Sequence, residues 1–238
     1  MNISLTEDDD NKNEEIKAVS LLELKPFAEQ PFKVLIDEDM NELVESIQQS
    51  GVLSPIIARP HKDGGYEILS GHRRVKACEL AGIKEVPVII KNIDDDTATI
   101  LLVDSNLQRE NILPSEKAYA YQMKLAAMKR KAGRPTKENH VQIGHNLTEK
   151  TSREEFSKEI GESPTQVQRY IRLTNLIDPI LDMVDNKQIA MNAAVEISYL
   201  GSKEQFDVLK TIESEETKAQ DEANRNQRIR EILEEFMA

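Results

Sequence analysis

The apolar pattern of this chain changes character once, near Asp94, and no other feature narrows its fold so far. Before that point short strand-like runs alternate with helical stripes; after it only helical periodicity remains. Ordered sequence is expected from about Ala18, where VSLLEL begins. Asp37 then stands as an N-cap before Met40, Leu43, Val44 and Ile47, an i, i+3, i+4, i+7 stripe that Gly51 closes as a C′ residue. LSPIIARP reads as a strand, Asp63-Gly64-Gly65 as a turn, YEIL as a second strand, Arg73 to Ala81 as a helix, and VPVII as a further strand. Strands alternating with helices predict an α/β domain over residues 18–93.

Downstream, Thr97 to Leu107 predicts one helix, and Pro114 opens another with Ala118, Tyr121, Leu125 and Met128 on one face. Residues 94–131 read as a helical extension and 132–151 as a basic, polar linker. Helices resume in SREEFSKEI and PTQVQRYIRLTNLI, parted by Gly161-Glu162-Ser163, and Asp178 with Pro179 opens one more. Residues 152–201 are thus expected to be an all-α domain built on a helix-turn-helix. Ser202 with Gln205 predicts a capping box, and 202–238 read as charged helices whose last apolar positions are Ile229, Ile232, Leu233 and Phe236. Residues 1–17, acidic and Asn-rich, are expected to be a disordered tail.

At 238 residues the chain holds two domains of this kind, each able to bury a core without disulfides or metal. Cys78 is the single cysteine, and His61, His72, His140 and His145 are too scattered for zinc-ligand spacing, which suits a reducing cytoplasm. No run approaches the roughly 20 apolar residues of a membrane span. Met1 to Asn13 lacks a signal peptide's basic start and apolar centre.

A net charge of −12 weighs against nucleic acid until its distribution is followed. Met1 to Glu15 carries six acids and one base, Glu204 to Ala238 ten acids and five bases, so the ends hold −5 each and the middle −2. Within that middle, Lys129 to Lys137 reads KRKAGRPTK, with five cations and no acid. Lys129, Arg130, Lys131 and Arg134 therefore stand as a DNA-backbone patch, and the Gly-Arg-Pro at its centre suits minor-groove entry of Arg134.

Three further clusters carry chemistry. Ser70-Gly71-His72-Arg73-Arg74 follows a strand and opens a helix, so backbone N–H groups, the positive helix end and two guanidinium groups converge on one turn, as phosphate binding requires. The bland alternative is an exposed basic helix start. Asp104 to Asn111, DSNLQREN, is either a polar connector or a second edge for a polyphosphate or a hydrated magnesium ion. In the helix-turn-helix candidate, Ser163 is the N-cap and Pro164 the N1 residue. Val167, Tyr170 and Ile171 turn inward, leaving Thr165, Gln166, Gln168, Arg169 and Arg172 for the major groove. An ordinary helical hairpin is the alternative there.

In this order the clusters resemble the ParB family of plasmid and chromosome partition proteins. The resemblance covers about Val19 to Leu200 and is carried by LVESIQQSGVLSPIIARP, YEILSGHRRVKACELAGIKEVPVII, SNLQRENILPSEKAYAY, the helix-turn-helix and MNAAVEISYL. It implies a ParB/sulfiredoxin-like α/β domain followed by an all-α helix-turn-helix domain. It also implies CTP and Mg as cofactors, a palindromic double-stranded DNA site, a clamp loaded on DNA, a ParA-like Walker-type ATPase partner and a homodimer on the nucleoid or plasmid. By position, Gly71, His72, Arg73 and Arg74 match the phosphate turn; Asn106, Gln108 and Arg109 match the second nucleotide block, with Asn106 toward the metal. His72 and Ser105 stand where the family has Glu, and Ser105 implies weak CTP turnover; no catalytic residue is assigned. The fold class also resembles sulfiredoxin, whose turn cysteine is replaced here by His72. A transcription regulator without partition, or a phosphotransferase or nuclease on the same fold, are the alternatives.

Overall fold

The computed structural model describes residues 15–28, 30–109, 111–133, 145–216 and 222–237. The chain divides into two compact units, the first ending at Ser105 and the second beginning at Asn106.

In the first unit the strands are β1 (Ile16–Ser20), β2 (Leu24–Lys25), β3 (Ile56–Pro60), β4 (Tyr66–Ser70) and β5 (Glu85–Ile90). They form one mixed sheet in the order β1-β5-β3-β4-β2. Antiparallel pairs join β1 to β5 and β3 to β4; β3 with β5 and β2 with β4 run parallel. β1 corrects the expected tail of residues 1–17, because Ile16 pairs with Ile89 and Lys17 with Val88. An edge that would otherwise leave the β5 backbone unpaired takes a partner whatever its side chains. Residues 1–14 lie outside the described residues.

Helices α1 (Glu38–Ser50) and α2 (His72–Leu80) cover the sheet, and α3 (Asp95–Leu107) follows β5. The Asp37 carboxylate accepts the Met40 N–H at 2.9 Å, so α1 starts where its cap predicts. Its apolar stripe sends Met40 and Ile47 into a core with Ile56, Ala58, Ile68, Val86 and Val88. Across the sheet, Arg59 on β3 donates to Glu67 on β4 at 2.7 Å and to Asp95 at the start of α3, also at 2.7 Å. Glu67 is buried and also accepts the Ala28 N–H, so this ion group ties the segment after β2, two strands and a helix start together. Its paired hydrogen bonds offset the cost of burying charge.

The second unit is helical: α4 (Pro114–Gly133), α5 (His145–Ile160), α6 (Pro164–Arg172), α7 (Asp178–Asp185), α8 (Met191–Ile197), α9 (Ser202–Glu216) and α10 (Glu222–Met237). The segment expected as a linker over 132–151 is helical at both ends. α4, read as part of an extension of the first domain, packs on α5, α6 and α7. Its N-terminus is closed by α7, where the Asp185 carboxylate accepts the Ser115 N–H at 2.9 Å and the Ser115 hydroxyl at 2.5 Å. The expected Ser202–Gln205 capping box is replaced. Glu204 accepts the Gly201 N–H at 2.7 Å, while Gln205, buried, donates to the Asn175 and Leu200 carbonyls and accepts the Ile177 N–H. Three backbone groups satisfied at once hold that amide in the core.

Candidate functional site

The strand-to-helix turn expected to hold phosphate is built by Gly71. It caps α2 with φ +104°, a left-handed conformation that L side chains rarely adopt. A Cβ there would lie 2.7 Å from Ile56 Cδ1 and 3.1 Å from an Arg74 guanidinium nitrogen, so only glycine lets β4 turn directly into α2. The four residues after β4 then part company. Arg73 is partly exposed and lies 3.5 Å from the Asp37 carboxylate at the start of α1. Arg74, expected to face phosphate, turns back instead: it donates to the Ser54 and Pro55 carbonyls on the loop before β3. Burial lowers its pKa, which Cys78 only partly offsets, and burial pushes the Cys78 thiol up. His72 is buried. Of the predicted quartet, Gly71, Arg73 and Arg74 are partly exposed and His72 is buried, with the Arg74 guanidinium spent on the Ser54 and Pro55 carbonyls.

The second block straddles the division between units. Ser105 closes the first unit, its hydroxyl within donating distance of the Leu102 carbonyl at 3.0 Å and the Leu69 carbonyl at 3.4 Å, the latter two residues before the Gly71 turn. Asn106 opens the second unit with only 4% of its surface exposed, and its carbonyl accepts the Arg109 N–H. Gln108 is exposed and Arg109 partly so. Among the described residues no group of three or more His, Cys, Asp or Glu is placed to hold a metal.

The helix-turn-helix is α5, a turn at Gly161 to Ser163, and α6. Ser163 accepts the Gln166 N–H at 3.1 Å, with Pro164 in the first turn, as its sequence predicts. Val167 is fully buried against Tyr121, Leu125 and Phe156, and Tyr121 meets the Phe156 and Tyr170 rings edge-on at 5.1 and 5.5 Å. That anchoring leaves Thr165 and Arg169 exposed and Gln166 and Gln168 exposed in part. Arg172 departs from expectation: its guanidinium is bonded to Ser198 and stacked on Tyr199. Sequence reasoning missed what steadies the turn. Lys117 of α4 reaches Glu162 at 3.2 Å and lies over the Tyr170 ring, while Lys124, 1% exposed, pairs with Glu159 at 2.8 Å over the Phe156 ring. Burial, with the Glu162 carboxylate beside it, pushes the Tyr121 phenol far up and keeps it protonated.

Lys129 lies on the last turns of α4, partly exposed, and Arg130 and Lys131 beside it are exposed; Arg134 lies outside the described residues. No described helix is long and apolar enough to cross a membrane.

Two family models match: the ParB N-terminal domain over residues 5–107 and the ParB HTH domain over residues 143–231. A nucleoid occlusion protein of Bacillus mycoides is 32% identical over 224 residues, 93% of this chain and 69% of that protein. This chain belongs to the ParB family. Its fold is the ParB one, an α/β domain followed by a helical helix-turn-helix domain. A solved Pnob8-like ParB-N domain shares that fold, at 19% identity and a TM-score of 0.55, covering 94% of this chain and 98% of that one. A probable chromosome-partitioning ParB of Vibrio cholerae is 32% identical over 83% of this chain, which spans 60% of that relative's length. A C-terminally truncated ParB of Caulobacter crescentus, solved with CTP-γ-S, aligns at 26% identity over 78% of this chain and 93% of that one, with a TM-score of 0.38; the nucleotide is that protein's own.

Proposed function

We propose that the chain is a sequence-specific DNA-binding partition protein, reading a palindromic site through α6 and using CTP as a clamp switch. The observation that carries the DNA half is α6 itself. It is capped by Ser163, pinned at Val167, and offers Thr165, Gln166, Gln168 and Arg169 outward. Gln suits adenine and Arg suits guanine. Lys129, Arg130, Lys131 and Arg134 add backbone attraction that carries no sequence preference.

For the nucleotide half, the turn at Gly71 sets the free N–H groups at the start of α2 directly after β4, a placement that favours an anion, and Arg73 supplies charge there. Gln108 and Arg109 are the exposed partners in the second block. Asn106 toward Mg is retained from family position, and bound Mg would neutralise phosphate charge. His72 and Arg74 hold the turn and do not reach outward. Ser105 leaves CTP turnover slow, because a hydroxyl already donating to two carbonyls cannot stand in for a carboxylate. A ParA-like ATPase, a homodimer and a nucleoid- or plasmid-associated place in the cytoplasm complete the reading.

The test is mapping of bound DNA across the genome with and without CTP, beside calorimetry and phosphate release. Spreading from a sharp site supports the clamp. Ser105→Glu should raise turnover more than affinity. Arg169→Ala should weaken the specific site by about 1–3 kcal/mol. No CTP binding in the presence of cognate DNA overturns the switch. The nucleoid occlusion relative favours a second reading, a site-specific binder acting outside partition, which a sharp site without spreading would support.

A further inference from the structure

Helix α6 ends on Arg172, and its pattern puts that arginine among the outward readers. The guanidinium is committed elsewhere in the second unit. Nε donates to the Ser198 hydroxyl at 3.2 Å, Nη2 donates to the Ser198 carbonyl at 2.6 Å, and the guanidinium carbon sits 3.9 Å from the Tyr199 ring centroid. Ser198 is the C-cap of α8, where backbone carbonyls carry partial negative charge that a cation complements. The acceptor is itself fixed, since the buried Ser198 hydroxyl donates onward to the Val195 carbonyl at 2.6 Å. Tyr199 is 69% exposed, and its ring lies under the Arg172 guanidinium. A planar fork that bonds along its edge and stacks on its face is a geometry that lysine cannot copy.

We propose that Arg172 and Tyr199 act as a positioning pair for α6. They fasten its C-terminal end to α8 and so fix the direction in which Thr165, Gln166, Gln168 and Arg169 are offered to DNA. Arg172 then touches no base and no phosphate. The inference rests on the DNA-reading role proposed above and deepens it. It removes one residue from the reading face and adds Tyr199, which no motif singles out.

The experiment uses the full chain, a duplex enriched from a random-sequence pool by the wild type, and a scrambled duplex of equal composition. Arg172→Lys and Arg172→Ala should both lose about tenfold on the enriched duplex, within the range by which contacting residues couple. Binding to the scrambled duplex and the dependence of affinity on salt should stay as in the wild type. Tyr199→Phe keeps the ring and should bind normally, whereas Tyr199→Ala should match Arg172→Ala. The double alanine variant should lose no more than either single one. Wild-type affinity in Arg172→Lys overturns the proposal, because a point charge would then suffice. So does a salt slope lowered by about 0.9 in Arg172→Ala, the mark of one lost phosphate contact. Additive losses from Arg172 and Tyr199 overturn it as well. Thermal midpoints are recorded throughout; if Arg172→Ala unfolds, Arg172→Lys and Tyr199→Ala decide. A wild-type chain that enriches no sequence sinks the DNA-reading role and this inference together, whereas a sharp wild-type site with Arg172→Lys unaffected sinks the inference alone.

Discussion

Gly71 leaves no room for a side chain, since a methyl group would press on Ile56, which is itself fully buried, from a backbone with φ +104°. Gly71→Ala should therefore cost about 1–3 kcal/mol in denaturant unfolding, from backbone strain and overpacking together. It should also abolish nucleotide binding at temperatures where the fold persists. Asp95 gives a pH test of the Arg59 group. The hydrogen bond from Arg59, and then its charge, hold the Asp95 carboxyl below its usual 3.8. A depressed folded pKa contributes stability above the unfolded value, and that contribution is lost as pH falls through the folded one. Asp95→Asn should therefore lower the urea midpoint at neutral pH by a constant offset. The gap should begin to narrow below about pH 4, where the carboxyl of the unfolded chain protonates, and close only as pH falls through the lower folded value. A gap that persists at acid pH would show that the side chain acts by shape and not by charge.

At the level of elements, α4 does more for the helix-turn-helix than its composition suggests. Lys124 is buried over Phe156 with its ammonium on Glu159, which is half exposed. Lys124→Met keeps the stem and leaves Glu159 a route to water, so it should change stability by less than about 1 kcal/mol. Lys124→Ala removes packing as well and should cost about 2–3 kcal/mol. Equal losses in a thermal series would mean that charge, not packing, holds α4 to the turn. Elements were legible wherever one apolar period dominated. The Met40–Ile47 stripe marked α1, and Ser163 with Pro164 marked the start of α6. The sheet order was not, since strand runs carry no record of their neighbours, and nothing local marks Lys117 or Lys124, whose partners lie 45 and 35 residues away. Outward spacing placed Arg172 on the reading face, and only the position of α8 shows where its guanidinium goes. The strand-to-helix turn at Gly71 was readable as a turn, but Arg74's bonds to Ser54 and Pro55 depend on a loop that periodicity does not describe.

For the whole molecule, charge is the lever. Residues 1–14 contain five acids and one base, so a chain starting at Glu15 should bind scrambled DNA more tightly at low salt. The two chains should converge as added salt shortens the screening length from about 30 Å at 0.01 M toward about 3 Å at 1 M. Parallel salt curves would show that the acidic stretch does not face DNA. A different consequence attaches to the bond by which Asp185 closes α4, since its two partners stand 70 positions apart in the chain. On a ribosome adding about 5–20 residues per second, roughly 4–14 seconds pass between the synthesis of Ser115 and that of Asp185. Throughout that interval the first turn of α4 has an unanswered amide, and for the earlier part of it, until Phe156 and Val167 are made, Tyr121 and Leu125 lack their partners as well. The first unit can complete its sheet during the same pause. The helix-turn-helix half is therefore the late-maturing half of this protein, and a nascent chain stalled short of Asp185 would offer a chaperone or protease a helix still waiting for its lid.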